Sequence, residues 1–364
     1  MKPIDIHTGK AFAKFSFLAT LLVVMCHTDD VMPLKYKSSL VRFLGGSFSD
    51  ANVCNFFFLS GFLLAKHFGE KRWWVNGLKK RISTLAIPYV VWCAICYAFL
   101  FFRNQIFPSA YDNCMEPASL IDEVRRVFGI GFLTNPCGFV LWYVKTLFYF
   151  ILISPLVFPV LRRSFRTFCS IVSLILILRF VGYSFRLEIM RYFGFCFHLL
   201  GFIAFICGGW CALHNITFPE RLKKSPLILP LAIWISTAAL FFFWGNCVKG
   251  LYYIAAPINI AVSVFCLLWI CFCTSWTFPA FLVKCSFFVY AAHLQVLKVC
   301  SKLLPPAPAH IHAISAIAFF VLFVASVIIC VGVAHCTHFI SPRFAALLSG
   351  GRFDKSYGDR KDTK

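Results

Sequence analysis

His27 closes an apolar run, SFLATLLVVMCHTDD (residues 16–30), and two acids, Asp29 and Asp30, follow it at once. An imidazole in a membrane-length apolar segment is costly, so its presence calls for a reason. Either it sits near the membrane–water boundary and bonds to a neighbouring helix, or it transfers protons for a hydroxyl or amine acceptor. Imidazole is the side chain that titrates near neutral pH, which suits the second role. Asp29 and Asp30 are then either a solvated helix end or candidate acids that orient and charge the ring.

Other residues with chemical potential are spread along the chain. Lys79, Lys80 and Arg81 form a basic cluster able to bind a nucleotide phosphate, and equally suited to anionic lipid headgroups. Lys145 and Arg179 fall inside apolar runs, where a buried cation needs a partner or a polar cavity; Lys145 is the better candidate for a polar pathway. Tyr290 and His293 stand three residues apart and share a helical face. Ser60 and Gly61, among aromatics, read as a helix-packing position where two backbones approach closely. His198 and His214 read as structural. No cysteine pair lies beside a second ligand pair, so no metal site is expected.

These residues must be positioned by membrane helices. The chain has 364 residues, 60% of them hydrophobic and only 13% charged. Several runs approach the roughly 20 apolar residues that cross a bilayer. The expected fold is all-α, a polytopic bundle of about ten spans near 11–31, 51–66, 84–103, 138–160, 168–185, 192–213, 226–245, 251–273, 279–297 and 311–340. A single transmembrane domain over 1–340 and a short charged tail over 341–364 follow, with no cleavable signal and no separate soluble domain. An even number of spans puts both ends on one side. Most of the 35 Lys and Arg then fall in segments on that side, which the positive-inside rule makes the cytoplasm.

The formal net charge of +21 does not indicate nucleic-acid binding, because the basic residues come in small clusters between apolar runs. The 18 cysteines lie mostly within those runs, where free cysteine behaves as a small hydrophobe. Cys114 and Cys137 fall in or beside one polar loop and could pair if that loop is extracytoplasmic. The segment 32–50 reads as a basic outer loop able to lie across a polymeric substrate.

Four separated segments carry a resemblance. LATLLVVMCH (18–27), NFFFLSGFLL (55–64), KKRISTLAIPY (79–89) with LWYVKTLF (141–148), and SFFVYAAHL (286–294) resemble, in order, motifs of the acyltransferase-3 family of bacterial membrane enzymes. The resemblance implies about ten helices in the bacterial cytoplasmic membrane and transfer of an acyl group, usually acetyl. It also implies acyl-CoA as the donor, a co-substrate and not a bound cofactor, and a hydroxyl of a cell-surface or lipid-linked glycan as the acceptor. It further implies that His27 is the catalytic histidine and that Lys79, Lys80 and Arg81 belong to the donor-binding basic motif. Lys145, Tyr290 and His293 are expected along a polar path.

The chain departs from the family pattern at three places. Ser16 stands where an arginine is usual eleven residues before the histidine, Ser83 and Thr84 follow the basic motif where a later arginine is usual, and Val140 precedes the fourth-span tryptophan in place of a histidine. Lys14, thirteen residues before His27, falls about 140° away around the helix and cannot simply replace the arginine. Two other readings stand beside the enzyme: a transporter of a lipid-linked sugar or anion, supported by the intramembrane cations, and a family member that binds without chemistry, supported by Ser16. Oligomeric state, acyl chain and acylated hydroxyl are not encoded legibly.

Overall fold

A computed structural model describes residues 6–49, 51–106, 119–128, 139–185, 198–247, 249–304 and 312–353. Cys114 and Cys137 lie outside these residues, so their pairing does too. Among the described residues all regular structure is helical. The main helices are α1 (Ile6–Val31), α2 (Asn52–Ala65), α3 (Trp73–Arg81), α4 (Ile87–Ile106), α5 (Leu120–Phe128), α6 (Trp142–Leu161) and α7 (Phe165–Ser184). There follow α8 (Leu199–Leu213), α9 (Ile228–Cys247), α10 (Lys249–Cys273), α11 (Ala280–Lys302), α12 (His312–Ile340) and α13 (Pro342–Leu348).

Among the described residues, eight helical runs are long and apolar enough to cross a bilayer, and two shorter apolar helices accompany them, Leu199–Leu213 and Ile228–Trp244. The chain is a multi-pass membrane protein. Its outward faces agree with a lipid solvent: α7 exposes Leu174, Ile177 and Leu178, and α12 exposes Ile317, Val321, Val324 and Ile328. In water such faces would be untenable; against acyl chains they cost nothing.

The described residues group into two compact units. The described residues of Met1–His67 and Ile203–Cys336 form one, and those of Phe68–Phe202 and Thr337–Lys364 the other. In the first unit α1 packs against α2, α10 and α11. Lys14 pins the register of α1 on α10: its buried ammonium donates to the Thr274 carbonyl at 2.7 Å and to Thr274 Oγ1 at 2.9 Å. Thr274 directly follows the last residue of α10, so the lysine satisfies a helix C-terminus whose carbonyls have no intrahelical donors. The Trp276 ring lies 4.9 Å from the same ammonium. Lys14 is thus committed to a structural anchor.

Residues 32–49, which fall in the expected outer loop, form short helical turns. Ser38 accepts from the Val41 amide and starts a helical turn, Ser39–Arg42, which runs into a π-turn, Phe43–Phe48. A side chain at Gly45 would run into Asp29, and Asn259 Nδ2 donates to the Ser47 carbonyl at 2.9 Å. The glycine and the serine cap let the segment fold against α1, α9 and α10 where a bulkier sequence could not.

In the second unit, proline shapes α6. Pro155 has no N–H to donate to the Ile151 carbonyl, which would be left unpaired in an apolar medium. Two donors replace it, Trp74 Nε1 at 2.9 Å and Ser154 Oγ at 2.7 Å. The tail begins as structure: Ser341 caps α13, Leu348 and Ala345 are buried, and Trp92 Nε1 donates to the Leu348 carbonyl at 3.0 Å. Gly350, with φ of 66°, sits so close to the Thr84 carbonyl that a Cβ would overlap it.

Candidate active site

The site lies in the first unit, where α1, α2 and α11 meet. Lys14 and Phe17 mark one level of α1: Lys14 on Thr274, and Phe17 against Phe278, with ring centroids 4.5 Å apart. His27 is thirteen residues further on, about 20 Å along the axis at ~1.5 Å per residue. On α10, which runs the other way, fifteen residues back from Thr274 reach Asn259, about 22 Å away by the same rise. His27 and Asn259 therefore share a level, as do Asp29 against Gly45 and Asn259 on Ser47.

At that level His27 Nδ1 lies 2.8 Å from Asp30 Oδ2. A carboxylate only accepts, so Nδ1 carries the proton and the ring's basic lone pair is on Nε2. Asp30 is largely exposed, whereas the imidazole is mostly covered. Asp29 does something else: its Oδ1 faces Lys37 Nζ at 3.9 Å and its side chain packs on Gly45. Helix geometry accounts for the division, since a residue three positions on returns to the same face and a residue two positions on does not.

His293 approaches from α11, its ring centroid 5.3 Å from that of His27. It is completely buried. Its Nδ1 lies 2.7 Å from the Tyr290 carbonyl and 3.1 Å from the Val289 carbonyl. Both partners are acceptors, so Nδ1 must donate, which fixes the neutral tautomer and leaves Nε2 as an acceptor. That Nε2 is buried and has no hydrogen-bond partner among the described residues. Tyr290 lies beside it, ring centroids 6.2 Å apart, and Phe56 of α2 meets Tyr290 edge-on at 5.9 Å. Two further buried acceptors, Asn55 Oδ1 and Asn259 Oδ1, also lack partners among the described residues. Buried polar atoms are ordinarily satisfied. A ligand O–H or N–H group reaching one of these acceptors would satisfy it; the same unit also buries a donor, Trp234 Nε1, that has no hydrogen-bond partner among the described residues.

Ser60 and Gly61 lie on α2 where it meets α8. A Cβ on Gly61 would land on the Phe205 carbonyl, and one on Gly208 would land on the Phe58 carbonyl. The two glycines form a reciprocal pair that holds the backbones in contact, a small-residue interface of the kind membrane helices use. Gly208 is the half that reasoning from α2 alone misses.

Of the other residues singled out from the sequence, all but His214 lie in the second unit. Lys79 and Lys80 are exposed and Arg81 half-buried at the end of α3. Ser83 and Thr84 hydroxyls donate back to the Lys80 carbonyl, at 3.0 and 2.8 Å, within a π-turn, Ile82–Ala86. Lys145 and Arg179 are buried in α6 and α7. His198 is structural: its Nδ1 accepts from the Gly201 amide at 2.9 Å, and its ring packs 5.1 Å from Trp142. His214 packs on Trp210, with centroids 4.8 Å apart.

Fold and site together define a multi-pass helical membrane protein with a carboxylate–imidazole pair and a second imidazole at one depth of its first helical unit. The acyltransferase-3 model, described as an acyltransferase domain, matches residues 17–335, and the chain belongs to that family. Neither the curated proteins nor the solved structures contain a match to this chain.

Proposed function

We propose that the protein transfers an acyl group, most simply acetyl, from cytoplasmic acyl-CoA to a hydroxyl of a cell-surface or lipid-linked glycan. It works in the inner membrane of a bacterium, with ten crossings and both ends in the cytoplasm. The observation that carries this reading is the His27–Asp30 pair: a 2.8 Å bond through Nδ1 fixes the tautomer whose basic lone pair is on Nε2. His27 takes the proton of the acceptor hydroxyl, the hydroxyl oxygen attacks the thioester carbonyl, and the C–S bond breaks. The departing thiolate takes the proton back from His27. Asp30 holds the ring and stabilises its charged form; Asp29 supports the helix end through Lys37.

Lys79, Lys80 and Arg81 bind the donor's phosphates, a role that suits cations at a helix end of which two are exposed and one half-buried. Lys145, Tyr290 and His293 are assigned to the polar path. Ser16 favours a second reading, a family member that binds glycan without chemistry, because the arginine usual at that position is absent and Lys14 is tied to Thr274. Purified protein in nanodiscs, given radiolabelled acetyl-CoA and glycan extracted from its host membranes, decides between the two. The enzyme places label in glycan as an ester released by hydroxylamine; glycan that binds and gains no label under any acyl-CoA tried favours the second reading.

A further inference from the structure

A hydroxyl group has one proton to donate, and the site offers two neighbouring imidazole acceptors. With Nδ1 of His27 bonded to Asp30 and Nδ1 of His293 bonded to backbone carbonyls, both rings carry their basic lone pair on Nε2. The ring centroids are 5.3 Å apart. His293 cannot readily join the proton transfer: with His27 charged, a second positive ring at that distance in a buried setting is strongly disfavoured. Its Nε2 is nonetheless buried and unpartnered among the described residues, and an acceptor atom left in that state is costly.

We propose that His293 determines acceptor specificity: its Nε2 accepts a hydrogen bond from the hydroxyl next to the one that His27 deprotonates. The protein then acylates one member of a pair of adjacent hydroxyls, and an isolated hydroxyl is a poor acceptor. The inference rests on the acyl-transfer reading above. Through the reaction the His293 proton stays on Nδ1, held by the carbonyls of Val289 and Tyr290; only the reacting hydroxyl, His27 and the thiolate exchange a proton. Tyr290 and Phe56 fix the His293 ring by packing. Discrimination by a buried hydrogen-bonding group is strong, because the analogue lacking its partner leaves that group unpaired.

Periodate tests this directly. It cleaves carbon–carbon bonds between adjacent hydroxyls, and borohydride then leaves a glycan with hydroxyls but few adjacent pairs. Untreated and treated host glycan are offered to the protein in nanodiscs with labelled acetyl-CoA. Wild type is expected to label treated glycan at least about tenfold more slowly per remaining hydroxyl, the loss of one buried hydrogen bond. His293→Phe labels untreated glycan more slowly, with a raised KM for glycan and an unchanged KM for acetyl-CoA, and its treated-to-untreated ratio is close to one. His293→Gln, which keeps an acceptor, retains the wild-type preference. Equal labelling of both glycans by wild type overturns the inference, and so does a His293→Phe ratio equal to that of wild type. If wild type labels neither glycan, the acyl-transfer reading itself fails and this inference with it.

Discussion

Replacing Gly61 by alanine puts a methyl group onto the Phe205 carbonyl, a backbone atom that cannot rotate aside as a side chain would. Overpacking of this kind costs about 1–3 kcal/mol, and a backbone obstacle places it at the upper end. Alanine's better helix propensity offsets about 1 kcal/mol of that. The net loss is about 2 kcal/mol, which at ~2–4 °C per kcal/mol for a large domain lowers the apparent Tm by about 4–8 °C. Gly208→Ala meets the Phe58 carbonyl across the same contact and should cost about as much. The double variant should cost clearly less than the two together, because helices already pushed apart have room for the second methyl. Gly332→Ala is the control, since nothing lies within 4 Å of its Cβ position. The assay heats detergent-solubilised protein and measures the monodisperse fraction by size-exclusion chromatography. A Gly61→Ala protein as heat-resistant as Gly332→Ala would refute the close approach of α2 and α8.

The two acids after His27 should separate cleanly. Asp30→Asn, which removes the charged partner of the imidazole, is expected to lower kcat by about tenfold, a modest effect because Asp30 is largely exposed; Asp29→Asn should leave kcat within about threefold, and the reverse order would contradict the bonding described. Lys14→Met removes a charge-assisted bond to the end of α10 and should cost about 1.5–3 kcal/mol of stability. Its acyl transfer per folded molecule should stay within about threefold of wild type; a loss of activity without loss of stability would mean that Lys14 serves in place of the arginine absent at Ser16.

The membrane helices were legible because bilayer thickness imposes a run length, and periodicity adds little to that signal. Segment 32–50 was not, because its fold depends on Gly45 meeting Asp29 and on Ser38 capping a short turn. Asp30 rather than Asp29 as the partner of His27 follows from helical spacing alone and could have been read in advance. The tautomer of His293 could not: it depends on which backbone carbonyls its ring meets within α11. Gly61 stood out among aromatics, yet its counterpart Gly208 lies far along the chain, and only packing reveals that each fits against the other's helix. For the N–H missing at Pro155, the donor from Ser154 lies within α6 itself, and the one from Trp74 becomes visible only when the two helices are placed together.

The central claim, that His27 is the base for acyl transfer, is tested most directly by comparing wild type with His27→Ala in nanodiscs. Both proteins are given labelled acetyl-CoA and host glycan, after matching them for monodispersity and helical content. The account predicts that ester label forms with wild type and forms at least about 100-fold more slowly with the variant. Transfer by the variant within about threefold of wild type would contradict it.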